Sequence, residues 1–321
     1  MTEVAHNVLK TFRKIYFKTF KASVKYIPEG LIEDPEEAGD VLYNYLTDKN
    51  PCMIARLGAN ELSCLVNYIG VKNNDRNILN YIRGKIPEWW WNEKIVRLMH
   101  TGAGFFPPEV NEIEKFCELM LEDIKYIDVL GSWMNNEKYF KNELASVKKV
   151  QLLNLDPYWS KEPWTRALED KDVLVIHPFV NTIKRQYKKR ELLFEKNLLP
   201  EFNLKTIKAV QSIAGSKTGF STWFEALDYM KAEIDKTQYD ICIIGAGAYG
   251  LPLAAHVKRS GKKAFHIGGS LQLLFGIRGK RWEKDYHHTY SYADLINEHW
   301  VRPGSGEKPA NANVVEDGCY W

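Results

Sequence analysis

From about residue 150 the chain alternates short apolar runs with longer amphipathic segments. Runs such as "VLVI" (173–176) and "ICII" (241–244) are apolar at every position, not at every second one. Strands buried on both faces read this way, so a parallel sheet flanked by helices is predicted. Upstream, the spacing predicts helices to about residue 48 and a strand "CMIARLG" from Cys52. Helices follow in "NELSCLVNYIG", "NILNYIRGK", "WWWNEKIVRLMH" and "NEIEKFCELMLEDI", then a strand "YIDVLGS". Beyond it come "VQLLNL" (strand), "PWTRALED" (helix), "DVLVIHPF" (strand), "VNTIKRQYKKRELLF" (helix), "KTIKAVQSI" (strand) and "STWFEALDYMKAEIDK" (helix). The expected fold is α/β, a Rossmann-like, mostly parallel sheet between helices, with a helical N-terminal region over 1–50. The α/β domain is placed at 51–300, and a turn-rich tail at 301–321 is expected to wrap the surface.

Composition narrows the classes. The 321 residues carry a formal charge of only +3, too little to favour nucleic acid as a partner. Cys52, Cys64, Cys117, Cys242 and Cys319 are scattered without metal spacing, which suits reduced core residues of a cytoplasmic protein. No apolar run reaches the roughly 20 residues a membrane span needs, and no secretory leader is evident. The charge-biased segment is the start, where Lys10, Arg13, Lys14, Lys18, Lys21 and Lys25 interleave with Phe12, Ile15, Tyr16, Phe17 and Phe20. Packing on the domain is the simpler reading; weak contact with an anionic membrane surface is the other.

The densest chemistry is "YDICIIGAGAYGLPLAAHVKRSGKKAFHIGG", with G-x-G-x-x-G at Gly245, Gly247 and Gly250. Glycines between a strand and a helix let backbone N–H groups approach an anion. They also serve close packing of helix on sheet. A dinucleotide site expects a carboxylate about 20 positions on, at the next strand end. That end carries His266, Gly268 and Gly269 instead, which speaks against NAD. Ser270 and Gln272 follow, and Arg278, Lys280 and Arg281 form a basic loop suited to a diphosphate leaving group or to solvent. His177, ending "VLVIH", is a candidate ligand contact or base, and Asp128 is either a site acid or a salt-bridge partner. His287 and His288 lack partners at metal-ligand spacing.

The motifs "PWTRAL", "VLVIHPFVNTIKRQYKKRELLF", "LKTIKAVQSIAG", "WFEAL", "GAGAYGLPLAAHVKRSGKKAFHIGGSLQLLFGIRGKRW" and "GCYW" resemble a family of uncharacterised bacterial and large-virus proteins. That family in turn resembles glycosyltransferases of the GT-D fold. The likeness rests on the paired glycine turns and on "ARLGANEL", similar to an R-x-G-D-x-E motif whose acids hold a divalent metal on a nucleotide-sugar. Arg56, Gly58 and Glu61 match it, but Ala59 stands where the aspartate would be, so a Mn²⁺ or Mg²⁺ site would rest on Glu61 alone. Glu61 could instead serve as a base, or simply favour its own helix.

The resemblance implies transfer of a sugar from a UDP- or GDP-linked donor to a glycan or lipid-linked acceptor hydroxyl. Arg56, Gly58, Gly245, Gly247, His266, Gly268, Gly269, Ser270, Gln272, Arg278, Lys280 and Arg281 would hold the donor. Glu61, Asp128 or His177 would do the chemistry. An NAD(P)-linked or nucleotide-sugar modifying enzyme, and a non-catalytic nucleotide-sugar-binding module, stay open as alternatives.

Overall fold

A computed structural model describes residues 3–20, 26–195, 197–283, 290–309 and 320–321. In chain order the elements begin with α1 (Glu3–Thr19), β1 (Leu31–Ile32), α2 (Pro35–Thr47), β2 (Cys52–Arg56), α3 (Ala59–Asn73) and α4 (Ile78–Ile82). Next are α5 (Glu93–Thr101), α6 (Val110–Ile124), β3 (Val129–Ser132), β4 (Lys148–Gln151), β5 (Asp172–His177), α7 (Val180–Tyr187) and α8 (Arg190–Leu193). The chain continues through β6 (Asn203–Lys208), α9 (Trp223–Asp235), β7 (Ile241–Ile244), α10 (Gly250–Arg259), β8 (Lys263–His266) and α11 (Leu271–Leu274).

The strands form one sheet in the order β1-β4-β3-β2-β8-β7-β5-β6, and every pairing is parallel. Successive side chains leave a strand on opposite faces. Met53, Ala55, Leu174, Ile176, Cys242 and Ile244 accordingly enter one core with α3, α6, α9 and α10. Cys52, Ile54, Val173, Val175, Ile241 and Ile243 enter the other, with α2, α7 and α11. Both faces are dry, so the central strands show no period-two alternation. The expected α/β class with a parallel sheet between helices is what the chain adopts.

Several expected elements differ locally. "PWTRALED" forms only a 3-10 turn at Trp164–Leu168, because Pro163 and the left-handed Asp170 (φ 59°) bracket it. The long helix after His177 is broken into α7 and α8 at Lys188 and Lys189. "VQLLNL" leaves the sheet after Gln151 for a 3-10 turn. Trp89, Trp90 and Trp91 precede α5, whose N-cap is Asn92, and so lie outside it. Trp89 and Trp90 join Leu9 of α1 and Tyr81 of α4 in a satellite cluster. Among the described residues, no helix is long and apolar enough to cross a membrane. Cys52, Cys64, Cys117 and Cys242 are buried and free, whereas Cys319, His287, His288, Lys21 and Lys25 lie outside the described residues.

The tail does not stay on the surface throughout. Glu307 is buried, its carboxylate accepting from the Asn181 and Thr182 amides and the Thr182 hydroxyl at the start of α7. A distant acid, not a side chain of the helix start itself, thus satisfies the first-turn N–H groups.

Candidate functional site

A cleft of about 370 Å³ opens at the carboxyl ends of β2, β5, β7 and β8. From β2 the chain passes to β3 on one side, and from β5 to β6 on the other, with β7 and β8 filling the centre. Crossovers leaving in opposite directions produce a crevice at this place in an open α/β sheet. The basic residues Arg56 and Arg281 line it, and Glu61 is the one side-chain carboxylate among the described lining residues.

The turn after β7 supplies one wall. Gly245 donates its amide to Ile176, in continuation of the sheet. The amides of Ala246, Gly247 and Ala248 then donate to no described residue, because a 3-10 turn at Gly247–Tyr249 precedes α10 and leaves its leading N–H groups unpaired. Gly247 has φ +54°, and a Cβ there would meet nothing within 4 Å. Its neighbours in the motif do another job. A Cβ on Gly245 would lie 2.7 Å from both the Gly268 carbonyl and His177 Cδ2, and one on Gly250 would fall 2.0 Å from His266 Cε1. One glycine opens the cleft and two permit close packing.

The turn after β2 supplies the opposite wall. Gly58 is the N-cap of α3, and the carboxylate of Glu61 folds back over it toward the helix's positive end. Burial raises the Glu61 pKa above its usual value; hydrogen bonding to its own amide and the charge of Arg56 oppose the shift. The Arg56 guanidinium lies 5.3 Å from the Trp133 ring centroid and donates no hydrogen bond to any described residue. An arginine with no hydrogen-bond acceptor among the described residues, in a cleft with unpaired amides, is the donor arrangement that suits an anion.

The second glycine turn departs from expectation. Gly268 and Gly269 line the cleft, but a Cβ on Gly268 would meet the Arg56 side chain at 3.0 Å and one on Gly269 would meet the Tyr320 ring at 2.4 Å. Gln272 lines the cleft too, yet its amide nitrogen donates to the carbonyls of Ile277 and Tyr320. Ser270 donates to Ile267 and does not line the cleft. Arg278 lies 3.9 Å from Glu283, away from the lining, and Lys280 is outside it as well. Of the basic loop only Arg281 reaches the cleft, donating to the Tyr320 hydroxyl at 2.9 Å.

Two expected catalytic positions are corrected. Asp128 precedes β3 and so lies at the sheet's opposite end, where Lys258 approaches it at 2.6 Å and the Met53 amide donates to it. Of the two readings the salt bridge is the one found, with Lys258, and Asp128 cannot reach the cleft. His177 lines the cleft, but its Nδ1 accepts from the Phe179 amide at 3.0 Å. That bond places the ring proton on Nε2, and burial lowers the pKa to about 3. His177 is a neutral donor, not a base. His266 is also buried in the lining, with Nδ1 3.3 Å from the Ile244 carbonyl and its pKa pushed down to about 4 by burial and then by Arg56.

Four residues in or near the cleft went unnoticed in the sequence. Trp133, 44% exposed at the end of β3, is fixed by its indole N–H donating to Leu57 and by Glu137, which accepts from the Trp133 and Met134 amides. Its place right after a predicted strand was the available signal. Tyr320 and Trp321 come from the far end of the chain to line the cleft. Asp156 is buried within the electrostatic reach of Arg56, accepts from Tyr292, and has its pKa raised by burial to about 6. An aspartate inside the apolar "LLNLDPYW" was its only sequence trace.

No family profile matches the chain, and no curated protein does. Two solved structures of the domain of unknown function 1792 are similar to it, each at a TM-score of 0.41 and 10% identity, covering 93% of this chain and 96% of theirs. One is a selenomethionine-substituted form, and the other is described as having a distinct glycosyltransferase fold.

Proposed function

We propose that the protein is a glycosyltransferase that moves a sugar from a UDP- or GDP-linked donor to a hydroxyl of a glycan or lipid-linked acceptor. The observation that carries this reading is the three unpaired amides at Ala246, Gly247 and Ala248, which share a cleft with Arg56 and Arg281. A diphosphate is the ligand chemistry such donors suit, and the cleft volume lies in the range of small-molecule sites. The end of β8 offers no carboxylate for the ribose of a dinucleotide, which disfavours NAD.

In this reading the acceptor oxygen attacks the anomeric carbon and the bond from that carbon to the diphosphate oxygen breaks. The amide row and the two arginines take up the charge growing on the leaving diphosphate. Glu61 receives the acceptor's proton; its raised pKa suits a base better than an ordinary carboxylate. A divalent metal does not fit the residues present. Among the described residues Glu61 is the single lining side-chain carboxylate, and no three His, Cys, Asp or Glu side chains gather as a metal site. No step is assigned to one.

Thermal-shift measurements with UDP, GDP, CMP and NAD, each with and without Mn²⁺, test the reading. The expected result is stabilisation by UDP or GDP, with hydrolysis of the matching sugar donor on incubation. Glu61→Gln should keep the shift and lose turnover. Stabilisation by NAD alone would overturn the reading. A nucleotide shift with no turnover would favour a binding module, which Ala59 and the engagement of Glu61 with its own helix also favour.

A further inference from the structure

The N-terminal helix carries a second apolar face that no described residue covers. On its inner side Leu9 is buried against Tyr81 and Trp89, His6 stacks on Trp90 at 4.2 Å, and Arg13 sits over Tyr81 at 4.8 Å. These contacts hold α1 to the domain. Val4, Val8, Phe12 and Ile15 are nonetheless 73%, 47%, 53% and 53% exposed. At about 100° per residue these four fall within about 80° of one another on the helical wheel, as a single stripe. The apolar residues that look scattered round α1 therefore belong to two faces, one packed and one bare.

The polar edge of the stripe is cationic. Helix α1 holds Lys10, Arg13, Lys14 and Lys18 against one acid, Glu3. On the wheel Lys18 falls about 40° and Lys14 about 80° beyond one edge of the stripe, while Lys10 is 3.7 Å from Glu88. An apolar strip bordered by lysines on an anchored helix has the form of an interfacial helix lying on anionic lipid.

We infer that α1 docks the protein on the surface of an anionic phospholipid bilayer, with Val4, Val8, Phe12 and Ile15 entering the headgroup boundary and Lys14 and Lys18 facing the lipid charge. The inference stands on α1 alone and does not depend on what the cleft binds. Charge complementarity selects lipid over a second copy of the chain, because two such helices face to face would oppose like charges.

Co-sedimentation of the full chain with phosphatidylcholine vesicles, with and without about a quarter phosphatidylglycerol, tests it. The expected result is binding to the mixed vesicles that weakens with salt and is slight on phosphatidylcholine alone. Val8→Ser combined with Phe12→Ser should lower the bound fraction at least tenfold while leaving the melting temperature unchanged, since both side chains are half exposed. Lys14→Gln and Lys18→Gln should each cost about fivefold. A wild type that stays in the supernatant, or a double variant that binds as well as the wild type, would overturn the inference. So would a wild-type dimer by light scattering that the double variant makes monomeric without any vesicle binding, which would assign the stripe to a second copy.

Discussion

The two glycine turns that end β7 and β8 look alike in sequence and behave differently in space. After β7, Gly247 faces open cleft and the amides around it are unpaired. After β8, Gly268 lies against Arg56 and Gly269 under the ring of Tyr320. The first turn is built around an absence and the second around neighbours. A glycine can serve a ligand or a side chain, and only what its missing Cβ would touch distinguishes the two. Even within G-x-G-x-x-G the roles divide, since Gly250 makes room for the ring of His266.

That division gives the largest predicted effect. Gly250→Ala should destabilise the fold by about 3 kcal/mol, because the new methyl would overlap the buried imidazole of His266 and the core cannot yield freely. Urea unfolding measures it. A loss under about 1 kcal/mol would mean that His266 moves aside, and the packing role of Gly250 would fall.

The floor beneath the second turn sharpens the contrast through pH. Burial raises the carboxyl of Asp156 from 3.8 to about 6, so the folded protein keeps a proton that the unfolded chain releases. Stability from this group is fully present below about pH 3.8 and is lost as pH rises through about 6, by about 3 kcal/mol in all. His177 and His266 act with the opposite sign. Their pKa values are depressed to about 3 and about 4, so their contribution is present above about 6.5 and is lost as pH falls. The difference in unfolding free energy between wild type and Asp156→Asn, followed from pH 4 to pH 8, cancels the histidines. That difference should shift in favour of the variant as pH rises through 6, and a flat difference would remove Asp156 from the account.

How much of this was legible depended on whether the signal was local. The strands at 173–176 and 241–244 and the helix after Gly250 could be read because burial on both faces writes itself into consecutive residues. Arg56, Gly58 and Glu61 could be placed together because they follow one strand end. Asp128 was misplaced because "YIDVLGS" does not say at which end of the strand the acid falls, and a shift of a few residues moves it across the sheet. The two-residue β1 carries too little pattern to register. Trp133 and Tyr320 reach the cleft, and Asp156 its surroundings, through tertiary contacts between remote segments. The basic loop at 278–281 misled for the same reason, since Glu283, near Arg278, and Arg302, which binds Glu283, turn most of it away from the cleft.

Gly269→Ala probes the filled turn directly. Its Cβ would press on Tyr320, a side chain near the end of the chain that can be displaced more easily than a core ring. The expected cost is about 1–2 kcal/mol in thermal or urea unfolding. Nucleotide affinity should change less than threefold, because the amides proposed to hold the diphosphate lie at the other turn. A tenfold loss of UDP or GDP binding here would restore a direct role for the β8 turn.

Gly247→Ala should show the reverse pattern, with the smallest effect on the fold. Its Cβ has free space, so the cost is the strain of a left-handed alanine at φ +54°, about 1 kcal/mol. The methyl, however, would stand in the open cleft beside the unpaired amides, where the proposed diphosphate lies. Isothermal titration with the nucleotide that stabilises the wild type should therefore show at least a tenfold weaker Kd. If Gly247→Ala binds as the wild type does while Gly269→Ala does not, the two turns exchange roles. The anion would then sit between Arg56 and Arg281, with the β7 amides left to water.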